Sequence, residues 1–451
     1  MLPRLIIPIL AALVCAAAAP EPDAPLSQAE RLLARKDYKS AEEALRKIVA
    51  GSPSDARAHG DLALALLSQG KTREAVDEGR LAAAFAPEAA QARYIYGSVL
   101  KAAGRPEEAA RELEKALALQ PDAPAPLRAL ADSYAMAGDP RAADAYGRLI
   151  AKNPDDPGLR ASLAEFFWAS GRSADGNKTM DEALAKFPGN RDLLTRYGRA
   201  LIEQERFLDG AEKLEAARKA GAQSVALLLL LGDAYRQGGR AEAALEAFTV
   251  AARENPASAD ARARLGRELS RNGAYEKALP ELAEAAKLDP RSAEIQLDYG
   301  RALESLGRLD EAEAAYRRAV KLAPNLPRGH YDLGRLLVKR GRKAEGDAEL
   351  AQHRALYERG LQKVSEAESR QAELALALSE LHEGKAEAAL DRLSPMPESV
   401  DVLLARADAL SRLNRHAAAI KALERARALA PEDERVARRL AAERVRSDES
   451  R

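Results

Sequence analysis

Cysteine is almost missing from this chain of 451 residues; Cys15 is the only one. Beyond the N-terminal stretch there is therefore no disulfide, no thiol nucleophile and no cysteine-ligated metal. Aromatic residues make up 4%, and Trp168 is the single tryptophan. Net charge is lacking too, because 70 Lys and Arg stand against 70 Asp and Glu. That balance gives no reason to expect nucleic acid or an anionic membrane surface as a partner. Catalytic motifs are missing as well. There is no Gly-x-Ser-x-Gly elbow, no GxxxxGK[ST] phosphate loop and no HExxH,. The five histidines, His59, His330, His353, His382 and His416, lie far apart without metal-ligand spacing,. No enzyme activity, cofactor or metal is expected. Past the N-terminus the longest apolar run is short: Val225–Leu231 is seven residues, the last five of them leucine, against the ~20 residues a spanning helix needs.

The N-terminus reads differently. One basic residue, Arg4, precedes an apolar stretch from Leu5 and then small residues up to Ala19. This is the layout of a secretory signal peptide over residues 1–18, cleaved after Ala17 or Ala18. An uncleaved anchor helix is the alternative. Lipid attachment at Cys15 is disfavoured by Val14, where Gly, Ala or Ser is usual. The expectation is export to the periplasm or beyond, with no membrane span after cleavage.

Alanine, leucine, arginine and glutamate dominate the rest, so the chain reads as all-α,. Prolines then supply a ruler. Pro53, Pro87, Pro121, Pro154, Pro188, Pro256, Pro290 and Pro324 form a ladder with steps of 34, 34, 33, 34, 68, 34 and 34. The long step is two periods, with Ala222 where a proline is missing. A fixed period of this size marks a repeat array, each unit an antiparallel helix pair. Within one period come Gly232, Tyr235, Gly239, Ala244, Phe248, Ala251 and Pro256. Gly266, Gly273, Ala278, Leu282, Ala285 and Pro290 repeat the pattern, as do Gly300, Gly307, Ala312, Tyr316, Ala319 and Pro324. The leucine run belongs to the first helix of one such unit.

These positions resemble the tetratricopeptide repeat. The resemblance implies an α-solenoid superhelix of about twelve helix–turn–helix repeats over nearly the whole chain after residue 18. The main array covers residues 19–340. Some copies depart from the pattern: Glu205 stands for the turn glycine, Gly210 and Gly346 stand for alanine, and Pro280 falls inside a second helix. The 188–222 unit and Pro280 are expected to be weak points. Residues 341–370 lose the register and read as one extended helix of about 25 residues, roughly 38 Å long. Its stripe of Leu350, Tyr357, Leu361 and Val364 needs cover, from later repeats or from a second molecule, and the segment is expected to act as a hinge. Two degenerate repeats follow at 371–431, then a capping helix and tail at 432–451.

In this family the first helices line a concave groove that binds partner peptides or helices. Positional matching places Arg199, Arg236, Arg267, Arg271, Arg301, Tyr331, Arg335 and Lys339 there, with Trp168 either a groove anchor or turned inward to fill a loose unit. Arginine forks suit carboxylates, so an acidic segment or a free carboxyl terminus is the expected ligand, unless the arginines pair with acids of adjacent repeats. The family's chaperone-tail clamp carries asparagine where this chain has arginine and aspartate, so that tail is not expected. The function implied is a non-enzymatic protein-interaction scaffold of the bacterial envelope or periplasm. A self-associating structural spacer, or an accessory subunit of an envelope enzyme complex, is the second reading.

Overall fold

The computed structural model describes residues 25–121, 123–431 and 433–449; the signal segment 1–18 and Cys15 lie outside them. The described residues form helices and turns, with no strand. In order they are α1 (Pro25–Ala34), α2 (Tyr38–Gly51), α3 (Ala56–Ser68), α4 (Thr72–Phe85), α5 (Ala90–Ala102) and α6 (Pro106–Leu119). Then come α7 (Pro124–Met136), α8 (Arg141–Lys152), α9 (Pro157–Ala169), α10 (Ser173–Lys186), α11 (Arg191–Glu203) and α12 (Phe207–Lys219). α13 (Val225–Gln237), α14 (Ala241–Glu254), α15 (Ala259–Arg271), α16 (Tyr275–Leu288), α17 (Ala293–Ser305) and α18 (Leu309–Leu322) follow. The last six are α19 (Pro327–Lys339), α20 (Lys343–His382), α21 (Ala386–Leu393), α22 (Val400–Arg412), α23 (His416–Leu429) and α24 (Glu434–Glu449). The fold is an all-α solenoid of stacked helix pairs. The chain divides into two compact units, Met1–Ala247 and Phe248–Arg451, with the boundary inside α14.

Local chemistry sets the helix ends. First helices follow the proline step, and several start at a side chain that accepts from the exposed N–H groups. Asp55 caps α3, Asn190 caps α11, and Ser224, Ser258 and Ser292 cap α13, α15 and α17,. The turn into each second helix needs one residue in the left-handed region. Nine glycines hold it, from Gly70 to Gly384, and Lys36, Glu205 and Asn414 hold it without being glycine. Glu205 thus takes the φ of +60° that the turn demands, at the steric cost a Cβ carries there.

Packing follows the same period. Alanines of the second helices, such as Ala244, Ala278, Ala285 and Ala312, are fully buried. Gly300 is small because Tyr316 lies against it: an added Cβ would come 2.5 Å from the ring. Of the leucine run, Leu227, Leu228, Leu229 and Leu231 are buried, and Ser224 caps their helix at the Leu227 N–H. The run is core, as its place in a first helix implies. Pro280 sits inside α16, which stays one continuous helix of 14 residues around it.

The region after residue 340 differs from expectation in extent. The helix does not stop near residue 370. It runs 40 residues, Lys343–His382, and so absorbs the first helix of the following repeat. Its start pairs with α19 and its end with α21. Between them, residues 357–372 are exposed on every side. Leu350 is half-buried beside Gly334, but Tyr357, Leu361 and Val364 are each 55% exposed. Cover for that stripe from the later repeats is not found among the described residues: their nearest part, the 395–397 loop, lies beside Ser365, Glu366, Ser369 and Arg370 and leaves Tyr357, Leu361 and Val364 exposed.

Candidate protein-binding face

The first helices bring the arginine row to one face, and the row proves to be anchored. Arg267 donates through Nε and Nη2 to Asp298 Oδ2, both at 2.7 Å. Arg301 repeats this on Asp332 at 2.8 and 2.7 Å. Arg335 Nη2 donates to Glu304 Oε2 at 2.6 Å, Lys339 Nζ lies 3.8 Å from Glu304 Oε1, and the Tyr316 hydroxyl donates to Glu304 Oε2 at 3.1 Å. The three carboxylates are nearly buried, and Asp332 shows 5% of its side chain. Each link spans 31 residues, a little short of one period, so it ties neighbouring repeats. Lys101–Asp132 and Glu165–Arg196 make the same link in the first unit. Burial pushes the Asp332 carboxyl above its usual range, although Arg301 opposes that shift. The cations are thus held in place by carboxylates that would be costly to leave alone.

The other expected residues fall into place around this ladder. Arg271 and Arg236 pair along their own helices with Glu268 at 3.3 Å and Asp233 at 2.8 Å. Arg199 is exposed and makes no ion pair among the described residues. Tyr331 is 44% exposed and packs on His353, whose ring is 6.0 Å from Tyr357. Trp168 turns inward. It stacks on Tyr197 at 6.2 Å and donates Nε1–H to Asn177 Oδ1 at 3.0 Å. Its indole occupies the space over Gly176, where a Cβ would come within 2.4 Å. Ile202 over Gly210 and Val338 over Gly346 do the same, with Cβ distances of 2.6 and 2.5 Å. Wherever glycine replaces the second-helix alanine in these three repeats, a large side chain eight positions earlier fills the gap. That coupling can be read in the chain, and positional matching against the groove misses it.

Two of the scattered histidines also gain a structural role. His59 bridges Glu78 at 2.6 Å and the Pro53 carbonyl at 2.9 Å, and His330 bridges Glu349 and the Pro324 carbonyl at the same distances. Arg93 and Arg262 occupy the equivalent place, each donating to a glutamate 19 residues on and to the carbonyl of the proline six residues before. No group of His, Cys, Asp or Glu among the described residues could hold a metal ion.

One carboxylate breaks the ladder. Asp61 sits where Asp298 and Asp332 sit, but residue 30, which should supply the arginine, is Glu30. Asp61 is buried with Oδ2 lacking a hydrogen bond, and burial, helped by Glu30, pushes its carboxyl up to about 7.

A tetratricopeptide repeat model matches residues 26–90, 128–191, 195–259 and 263–327, and a second one matches 90–133 and 400–443. The chain belongs to the tetratricopeptide repeat family. Such a TPR array is a non-catalytic scaffold for protein–protein interaction, and that is the role of this chain. The matched stretches leave out 328–399, which contains the free part of α20. Among solved structures it is similar to YrrB, described as a TPR protein with an unusual peptide-binding site. Identity is 20% over 42% of this chain and 96% of that one, with a TM-score of 0.37. It is also similar to MamA of MSR-1 (25% identity, 38% and 98% covered, TM-score 0.34) and to MamA residues 41 to the end from Desulfovibrio magneticus RS-1 (20%, 37% and 95%, 0.36). No curated protein matches. Among the described residues no helix is long and apolar enough to cross a membrane.

Proposed function

We propose that this TPR scaffold takes up peptide or helical segments of partner proteins on the face of its first helices in the second unit, with acidic segments favoured. The supporting observation is the row of Arg267, Arg301 and Arg335, which recurs once per repeat with each guanidinium partly exposed above a buried carboxylate. A guanidinium held by one acid through Nε and Nη2 keeps the rest of its fork for a second acceptor. Arg271 and Lys339 extend the same face. Because the arginines are already neutralised, recognition rests on directed hydrogen bonds more than on net charge, and binding should weaken only gently with salt.

The site of action we propose is the bacterial envelope, the N-terminal residues serving as an export signal. Support comes from the sequence alone, through the apolar stretch after Arg4 and the lack of any cysteine past Cys15. Cell fractionation with N-terminal sequencing tests it; cytoplasmic protein with an intact N-terminus would end that reading.

The binding test must respect the buried acids. Alanine at Arg267 or Arg301 would strand Asp298 or Asp332, so both partners should be neutralised together. A chain carrying Arg267→Gln, Asp298→Asn, Arg301→Gln and Asp332→Asn should remain folded by circular dichroism. Probed on an array of acidic, neutral and basic synthetic peptides, it should lose the acidic spots that the natural chain retains. Unchanged retention would remove the arginine row from the binding face.

A further inference from the structure

Second helices are joined to the next first helix by short turns, and α20 is the exception. Gly307 and Gly341 are one period apart, but the step from Gly341 to Gly384 is longer by nine. The extra length is taken up as uninterrupted helix, with no proline between Pro327 and Pro395. Two surfaces lie open as a result. On α19, Tyr331 is 44% exposed, whereas Leu297, its equivalent one repeat earlier, is 2% exposed. A following first helix would cover it. On α20, residues 357–372 are all exposed; the 395–397 loop lies beside Ser365, Glu366, Ser369 and Arg370, away from Tyr357, Leu361 and Val364.

We propose that a second copy of this chain covers both surfaces. The two α20 helices pair antiparallel, and the last third of each fills the vacant stacking place on the α19 of the other. This inference stands independently of the ligand proposed for the first-helix face.

The stripe itself selects the occupant. Arg354, Tyr357, Leu361, Val364 and Glu368 follow one another at spacings of three, four, three and four, the seam of a two-helix coil,. The stripe is basic at one end, apolar in the middle and acidic at the other. Neither Arg354 nor Glu368 makes an ion pair among the described residues. A parallel pair would set Arg354 against Arg354, whereas an antiparallel pair sets it against Glu368. With the two-fold axis midway between Leu361 and Val364, Leu361 of one copy meets Val364 of the other. Arg354 then falls within a turn of the opposite Glu368, on both sides. Gly360, Ser365 and Ala367 flank the seam and allow close approach.

Register supplies a separate check. In the regular stack α16 ends at Leu288 and α17 begins at Ala293. Running antiparallel, they bring Gly300 level with Glu281, whose equivalent two periods on is Glu349. The residue of the α20 repeat that corresponds to Gly300 is Ala377. In the proposed pair, Ala377 of the second copy comes level with Ala348, immediately beside the place the array's own geometry requires. The direction fits too, since a first helix runs antiparallel to the second helix before it. The exchange thus rebuilds between two chains the stacking that the uninterrupted helix prevents within one.

The test is the mass of the full chain by light scattering and sedimentation across a concentration series. The natural chain should be a dimer that dissociates on dilution. Leu361→Glu, on an exposed position, should give a monomer with an unchanged helix signal. Arg354→Glu should weaken the dimer by about tenfold or more, and Arg354→Glu with Glu368→Arg should restore it. A natural chain that stays monomeric overturns the proposal. So does a dimer indifferent to Leu361→Glu, a double charge exchange that fails to rescue, or a cross-linker at residue 361 that captures a different protein in place of this chain.

Discussion

Residues 259–356 and 357–372 are both helical, both rich in charge and adjacent in sequence, yet they are held by opposite means. In the first stretch each helix leans on its neighbours, and its arginines lie over carboxylates 31 residues away. In the second, a helix leaves leucine, valine and tyrosine uncovered by its own chain. Helix formation is therefore not what separates order from exposure here. The difference is a turn that ends the second helix: where a proline supplies it each period, or Gly221 does at the join that lacks one, the chain folds back and buries its seam, and where no turn comes, within Lys343–His382, the seam runs on uncovered.

Stability should register that contrast most strongly. Arg301→Ala leaves Asp332 buried and alone, and should cost about 2–4 kcal/mol in chemical denaturation of the chain. Removing both partners with Arg301→Gln and Asp332→Asn should cost less than about 1 kcal/mol. Leu361→Ala, in the free stretch, should move the stability of the monomeric chain by less than about 0.5 kcal/mol. If Arg301→Ala and the double variant are equally mild, the ladder is ornamental.

The second effect compares the two ends of the chain. Asp298 and Asp332 have their arginines; Asp61 faces Glu30 instead. Its folded carboxyl titrates near 7 against an ordinary value near 3.8, so the folded state binds the proton more tightly. That stabilisation is complete below about pH 4 and is lost as pH rises through 7, on the order of 1–3 kcal/mol. Denaturation of the natural chain should show it, and Asp61→Asn should remove the slope. A slope that survives this change would have another source.

Smaller still is the turn at Glu205. Glu205→Gly relieves a left-handed residue with an exposed side chain and should stabilise the first unit by about 1 kcal/mol,. Gly239, in the same place one repeat on, needs no such relief. The mildest contrast is kinetic. Amides of 357–372 should exchange several-fold faster than those of 343–356 in the same helix, under conditions where the chain is monomeric. Equal protection along α20 would mean the free stretch is covered after all.

Much of this can be read from the chain, for reasons that differ between residues. The period is legible because Pro256, Pro290 and Pro324 punctuate each join, and because Gly273 and Gly307 stand at turns where a Cβ is costly. The arginine row is legible as position but not as state. Arg301 looks like a free cation until Asp332 of the next repeat is placed beneath it by stacking, which no local pattern announces. The full length of α20 is hard to read because residues 371–382 carry the pattern of a repeat's own first helix around Ala377, and nothing local shows that no turn precedes them. Trp168 is ambiguous in isolation; only the glycine eight positions later, Gly176, says where the indole points.

That last pairing constrains what the array can become. Gly176 cannot gain a methyl while Trp168 lies 2.4 Å from where it would go, and Trp168 cannot shrink without leaving a hole over Gly176,. Ile202 with Gly210, and Val338 with Gly346, are interlocked in the same way. A substitution at either member alone is penalised, so these three positions on the first helices are shut to single-step change. At Arg236 and Ser270 the matching position faces an alanine and is not so tied. New specificity can therefore be acquired one residue at a time in some repeats and only by paired change in others, and the face offered to partners is unevenly adaptable along its length.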